Sequence, residues 1–337
     1  MKAFCNLEKP VPWLESVLDG ERNQLMYDAL RFALDKYQLR YREVPIRFRT
    51  EFVLRKAPYD GFCISYHSVG DSRHVWRVKE TPVPYFYSFD RLGFSAWSEV
   101  SQFPERFFAA IDAVPFFEAK LFVESLSQYL RKNNLSKYAQ NEETSLNLPD
   151  DFIFFPLQVR NDIVFQFCHI DPLKVVRFLA SRAKKNGQFL IIKRHPLCKS
   201  KRVTVLLSWL IKTNPFVIVS DASINQLIPK CSKVVVANSG IGFEALIHQK
   251  QVLSFAKSEY SIASNNFTSL KDLEQMLQIE NYNNVFAIKY VFYFLNKLCF
   301  DARDPATIER FLNLVLLCLE NDFWCEKKLI DCYRDSL

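Results

Sequence analysis

At 337 residues the chain is longer than a single hydrophobic core usually supports, and it suits two domains. Hydrophobic residues make up 49% and charged residues 24%, which excludes a disordered, collagen-like or low-complexity protein. The net charge of +7 is modest, but Pro172 to Ser220 contains eleven basic residues and no acidic one, a positive field suited to nucleotides, phosphates, acidic sugars or an anionic membrane surface.

In chain order, residues 21–37 carry helical periodicity, with Leu25, Met26, Ala29, Leu30 and Ala33 on one face. Short extended runs follow at 44–49, 61–68, 75–79 and 85–89, rich in aromatic and β-branched residues and separated by Pro, Gly and Asp. A helical region, 105–132, closes this half. The polar stretch 133–150 lacks apolar periodicity and reads as a linker. Beyond it strands and helices alternate: strand 152–159, helix 171–186 with Asp171 as N-cap and Gly187 as its stop, strand 189–193, helix 199–212, strand 216–220, a short helix 223–229, strand 234–237, helix 242–248 and strand 252–255. That alternation predicts a doubly wound parallel sheet. Helical segments at 270–278, 285–298 and 305–321 finish the chain. The expected organisation is an N-terminal α/β domain over 1–135, a linker over 136–150, a ligand-binding domain over 151–282 and a helical segment over 283–337.

Several classes are excluded. The longest charge-free apolar runs, 203–211 and 311–319, have nine residues each, about half of the roughly 20 needed to span a bilayer. The N-terminus lacks an apolar core of signal-peptide length, so a cytoplasmic protein is expected. Nine scattered cysteines without a CxxC pair fit neither a disulfide framework nor a zinc site, and no histidine spacing suggests a metal. The basic stretch has no accompanying RNP, helix-turn-helix or zinc-finger pattern, which disfavours nucleic acid.

The polar residues of the second half gather at strand ends. Gln158 to Asp162 follows the first strand, Lys193-Arg194-His195-Pro196 ends the second, Ser220-Asp221 ends the third, Asn238-Ser239-Gly240 ends the fourth, and Lys257 to Tyr260 follows the fifth. Open α/β sheets bind ligands at the carboxyl ends of their strands. Two of only seven glycines, Gly240 and Gly242, fall in NSGIGFEAL between a strand and a helix, where small residues let a phosphate approach helix N–H groups. An ordinary strand-to-helix turn has the same composition. Glu244, one turn on, suits a ribose diol or the helix dipole equally. Lys193 and His195, two apart before Pro196, point to one side and suit a phosphate or carboxylate. Asp162 is the nearest carboxylate at the other strand end, with loop solvation as the alternative role.

FFPLQVRND, IIKRHP and VVVANSGIGFEAL, in this order and spacing, resemble the donor domain of bacterial capsule polysaccharide biosynthesis proteins of the KpsC/KpsS (LipA/LipB) type. In the first half SYHS, VKE and YFYSFDRLGFSAWSE are similar to the segment preceding that domain in related β-Kdo transferases. The resemblance implies a GT-B-like α/β fold, with two Rossmann-like domains facing a cleft and C-terminal helices. It implies a metal-independent glycosyltransferase that moves Kdo from CMP-Kdo to a surface-glycan or glycolipid acceptor. Asp162, of a QxxxD motif, would then be catalytic, His195 would hold the CMP phosphate, and Ser239, Gly240 and Glu244 would line the nucleotide site. Gln158, Lys193, Arg194 and Asn238 complete the expected donor site, and β-configured CMP-Kdo with a β-linked product makes the reaction retaining. No cofactor beyond the donor substrate is expected, and no nucleic acid. Peripheral contact with the inner membrane or the glycan assembly machinery is a further expectation. On the acceptor side Trp97 suits sugar stacking and His67, Asp90 and Ser95 hydrogen bonding, although aromatic core packing is equally natural in a chain with 31 Phe and 14 Tyr. The alternatives are a transferase for another CMP-activated acid sugar, or a noncatalytic glycan-binding or assembly subunit.

Overall fold

The computed structural model describes residues 3–10, 17–46, 55–141, 148–160 and 162–320. The chain divides into two compact units: unit 1 is Met1–Ala113 with Tyr293–Leu337, and unit 2 is Val114–Phe292. Unit 1 opens with β1 (Phe4–Pro10), α1 (Val17–Lys36), β2 (Arg40–Ile46), β3 (Gly61–Tyr66), β4 (Val75–Glu80) and β5 (Phe86–Asp90), then the short helices α2 (Glu99–Gln102) and α3 (Phe108–Asp112). Unit 2 runs through α4 (Phe116–Lys132), β6 (Phe152–Pro156), α5 (Pro172–Asn186), β7 (Phe189–Lys193), α6 (Lys201–Thr213), β8 (Val217–Val219), α7 (Ile224–Lys230), β9 (Lys233–Val236) and α8 (Gly240–Ile247). It ends with β10 (Gln251–Ser254), β11 (Asn265–Asn266), α9 (Leu270–Leu277) and α10 (Val285–Tyr293), after which β12 (Cys299–Asp301) and α11 (Ala306–Glu320) return to unit 1.

The sheet of unit 2 has strand order β11-β10-β9-β6-β7-β8 with every pair parallel, the doubly wound order in which the chain reverses direction between β6 and β9. Both faces are covered, which is why FIFFP in β6 is buried throughout. Ile153, Phe155, Leu190, Ile192, Val235 and Leu253 share one core with α5, α6 and α9, while α7 and α8 pack on strands β6, β9 and β10. Helix α5 forms as its sequence predicts. Asp171 accepts the Leu173 N–H at 2.8 Å, Pro172 occupies the first turn, and Gly187 ends the helix at φ 66°.

The sheet of unit 1 has order β12-β5-β4-β3-β1-β2; β2, β1, β3 and β4 are parallel, β5 pairs antiparallel with β4, and β12 pairs antiparallel with β5. Its core joins α1 and α11 to the sheet through Met26, Leu30, Ile64, Trp76, Phe89, Phe311 and Val315. Two α/β units with parallel-stranded sheets agree with the expected fold class.

Five expectations are corrected. Strand β1 was not anticipated, because Asn6, Glu8 and Lys9 interrupt its apolar pattern; it is nonetheless central, with Cys5 and Leu7 buried. The extended run expected at 44–49 is β2, which starts at Arg40; residues 47–50 lie outside the described residues. The division at 135 falls instead between Ala113 and Val114, because α4 packs on α7 and α8. The expected C-terminal helical segment splits, since β12 pairs with β5 and α11 packs on α1. The stretch 136–150 is not a free linker: residues up to 141 bond to unit 2, and 142–147 lie outside the described residues.

Of the described cysteines five are buried and two half-buried. Among the described residues no helix is long and apolar enough to cross a membrane, and no group of three or more His, Cys, Asp or Glu is placed to hold a metal ion.

Candidate active site

The loops leaving β6 and β9 meet at the reversal of strand order in unit 2, where a doubly wound sheet opens a crevice. Gln158 follows β6 and Asn238 follows β9; the Gln158 amide donates to Asn238 Oδ1 at 3.3 Å, and both side chains are buried. Asn238 Nδ2 donates in turn to the carbonyls of Val164 at 2.7 Å and Lys257 at 3.3 Å. One asparagine therefore ties together the loops after β6, β9 and β10.

Asp162 is exposed at the mouth of the β6 loop and caps a short 3-10 helix, Ile163–Phe167, by accepting the Val164 N–H at 3.1 Å. His195 lies half-buried on the loop after the adjacent strand β7. Burial lowers its basicity, the Asp162 carboxylate opposes that shift, and Lys137 adds to it. Its Nδ1 accepts the Leu197 N–H at 3.1 Å, so the neutral ring carries its proton on Nε2. Asp162 and His195 thus stand on the loops that follow two adjacent strands. Lys193 is differently engaged: its ammonium donates to the carbonyls of Asp221 at 2.9 Å and Ala222 at 2.6 Å, holding the β8 loop, and burial lowers its pKa. Arg194 donates to the Ser200 carbonyl at 3.4 Å at the start of α6.

Ser239 is the N-cap of α8, accepting the Ile241 N–H at 3.4 Å, and its carbonyl accepts the Tyr260 hydroxyl at 2.8 Å. Gly240 opens the helix. Gly242 is required by packing rather than by a phosphate: a Cβ there would sit 2.5 Å from the buried Tyr260 ring. Glu244 is only 3% exposed and bonds to the Ser136 hydroxyl, and burial pushes its pKa up to about 8. Its carboxyl is therefore mostly protonated at neutral pH and enclosed by the chain, where the sequence left a ribose diol and the helix dipole equally open.

The residues that sequence reasoning missed lie in the supposed linker. Asn134 Oδ1 accepts from the Ser223 hydroxyl and, at 3.3 Å, from Asn225, while Gln140 accepts the Ile224 N–H at 3.0 Å and Asn141 donates to the Asp221 carbonyl at 2.8 Å. These bonds strap residues 134–141 across the carboxyl edge of the sheet. The strap sets Tyr138 edge-on to His195, with ring centroids 5.4 Å apart, and Lys137 over the Tyr138 ring at 5.8 Å. The only sequence signal was the density of Asn, Ser and Gln able to bond to backbone.

In unit 1, His67, Ser95 and Trp97 do gather at one turn. The His67 ring lies 4.7 Å from Phe94, which contacts Trp97 at 5.6 Å, and Ser95 holds φ 52° with its hydroxyl buried. Asp90 builds that turn instead of facing a ligand: it accepts the N–H groups of Leu92, Gly93 and Glu99 at 2.7, 2.8 and 2.9 Å, and burial raises its pKa. A buried cluster unanticipated from sequence marks the reversal between β1 and β3. Glu8 pairs with Arg55 at 2.9 Å and accepts the Ser65 hydroxyl, to which Ser68 donates at 2.7 Å.

The fold is that of a two-unit α/β protein whose second unit has the doubly wound strand order, with polar loops at the point where that order reverses. The model of the family described as capsule polysaccharide biosynthesis protein matches residues 104–277, just over half of the 337 residues, and the chain belongs to that family. No curated protein matches the sequence significantly. Among solved structures, Thermosulfurimonas dismutans KpsC, titled a beta Kdo 2,7 transferase, is 16% identical with a TM-score of 0.48, covering 93% of this chain and 99% of its own. KpsC of the same organism, titled a beta Kdo 2,4 transferase, is 13% identical with a TM-score of 0.49, covering 85% of this chain and 89% of its own. S. aureus MnaA in complex with UDP is 12% identical with a TM-score of 0.38, covering 95% and 97% respectively.

Proposed function

We propose that the chain is a retaining glycosyltransferase that moves Kdo from CMP-β-Kdo to a surface-glycan or glycolipid acceptor with a β linkage. The observation that carries the reading is the placement of Asp162 and His195 on the loops after adjacent strands, β6 and β7, at the crevice of unit 2, in a chain of the capsule family. The choice of CMP and Kdo rests on the resemblance of the three donor motifs.

In this mechanism the Asp162 carboxylate attacks C2 of the sugar as the bond from C2 to the phosphate oxygen breaks, releasing CMP and leaving a glycosyl-enzyme. The hydroxyl of the acceptor then attacks C2 from the opposite face as the ester bond to Asp162 opens, its proton passing to solvent water and the free carboxylate being regenerated. Two inversions give net retention. His195, neutral with its proton on Nε2, donates to the departing phosphate, and the N-terminus of α8 supplies N–H dipoles to the same charge. Gln158 and Asn238 fix the two loops, and the strap carrying Lys137 and Tyr138 orients the imidazole.

Calorimetric titration with CMP, using UDP, ADP and NAD as controls, tests the donor site. Selective CMP binding that weakens in His195→Ala is expected, followed by CMP-Kdo turnover that falls by about three orders of magnitude or more in Asp162→Asn. Preference for UDP or ADP would overturn the Kdo reading, near-wild-type turnover in Asp162→Asn would remove the nucleophile, and absence of nucleotide binding would favour a noncatalytic glycan-binding subunit.

A further inference from the structure

Helix α6 turns Val203, Leu206, Leu207 and Leu210 into the core of unit 2 and leaves its opposite face to solvent. That outer face is not polar. Val205 is 69% exposed, Trp209 56% and Ile211 51%, and Leu197, in the loop leading into the helix, is 64% exposed. Val205 and Trp209 are one turn apart, so they project side by side. The exposed charges of this helix and the loop before it are all of one sign: Lys199 in the loop, Lys201 and Arg202 at the start of the helix, and Lys212 at its end. The neighbouring α5, joined to α6 by the Asn214 amide donating to the Ala180 carbonyl at 2.6 Å, exposes Lys174, Arg177, Lys184 and Lys185 beside it. No acidic residue of the sequence between Pro172 and Ser220 offsets this charge.

We propose that the outer face of α6 docks on an anionic bilayer, with Trp209 and Val205 entering the headgroup region and the surrounding lysines and arginines facing lipid phosphates. A tryptophan amid aliphatic side chains and unopposed cations is the chemistry of an interfacial helix, and charge complementarity selects an anionic lipid surface over another acid-free face of this chain. The helix begins at the loop that carries His195, so docking sets that end of the crevice beside the membrane and fits an acceptor anchored in lipid. That last point rests on the proposed function; the docking itself does not.

The test is co-sedimentation of the full chain with phosphatidylcholine vesicles made with or without phosphatidylglycerol, at low and high salt. Binding only to the vesicles containing phosphatidylglycerol, reduced by salt, is expected. Each basic residue near such a surface contributes about fivefold in partitioning, so Lys201→Gln/Arg202→Gln/Lys212→Gln together should weaken it roughly a hundredfold. Wild-type tryptophan fluorescence should shift to the blue on adding vesicles, and that shift should disappear in Trp209→Phe. These variants sit outside the crevice and should bind CMP like the wild type. If the wild type fails to bind CMP, the functional reading falls while vesicle binding still stands or falls by itself. Equal binding to both vesicle types, no binding, or undiminished binding by the triple variant would overturn the proposal. So would a dimer in sedimentation velocity that dissociates in Trp209→Ser, which would assign the face to a second copy.

Discussion

Replacing Glu244 with glutamine isolates one buried carboxyl and gives a signed prediction for stability against pH. In the folded chain burial raises this group from the ordinary 4.5 to about 8, with the Ser136 hydroxyl and Lys137 only partly opposing the shift. The folded state therefore holds a proton that the unfolded state releases near its ordinary value. The contribution to stability is complete below about pH 4.5, falls as pH rises, and is lost by about pH 8. Each pH unit in that window costs roughly 1 kcal/mol or slightly more, so the wild type should lose roughly 2–3 kcal/mol from this group between about pH 5.5 and 7.5. Glutamine cannot titrate, yet its carbonyl oxygen still accepts from Ser136. Urea denaturation of both proteins at the two pH values gives the comparison. Glu99, raised to about 7 by burial and the nearby Asp90, titrates in the same range in both proteins, so the readout is the difference between the two slopes. Parallel slopes would refute the reasoning, because they would mean that Glu244 is already ionised and solvated in the folded chain.

Three other consequences follow from the same loops. Gly242→Ala should destabilise the chain by about 1–3 kcal/mol through the clash with Tyr260 at 2.5 Å, and Tyr260→Leu in the same chain should recover part of that loss; thermal melts of the single and double variants decide it. Asn238→Ala strands the Val164 and Lys257 carbonyls and should cost about 1–3 kcal/mol while weakening CMP binding, measured by denaturation and calorimetry; unchanged values in both would remove Asn238 from the crevice. His248 is held neutral, its pKa lowered to about 4 by burial and its Nδ1 2.7 Å from the Ser127 hydroxyl, so its contribution is complete above about pH 6.5 and is lost as pH falls toward 4. His248→Gln should flatten that acid-side decline, and an unaltered acid limb in urea titrations would contradict it.

The organisation of unit 2 was legible because local signals agreed there. Asp171, Pro172 and Gly187 bound α5, and continuous apolar runs could only be strands covered on both faces. The alternation of strands and helices put Gln158, Asp162, His195 and Asn238 at one edge of the sheet without any contact being known. The resemblance of short ordered motifs reached the family that the match over residues 104–277 then established. Tertiary structure decided what each polar side chain does. Lys193 holds the β8 loop, Glu244 is neutral beneath Ser136, and Asp90 builds a turn, since a side chain's partner is fixed by elements far away in sequence. Strand β1 and the strap over residues 134–141 escaped notice for the same reason: their order comes from pairing with distant segments, and their polar composition carries no periodicity of its own. The return of β12 and α11 to unit 1 was equally beyond local reading, because an antiparallel pairing with β5 depends on a surface that exists only once both segments have folded.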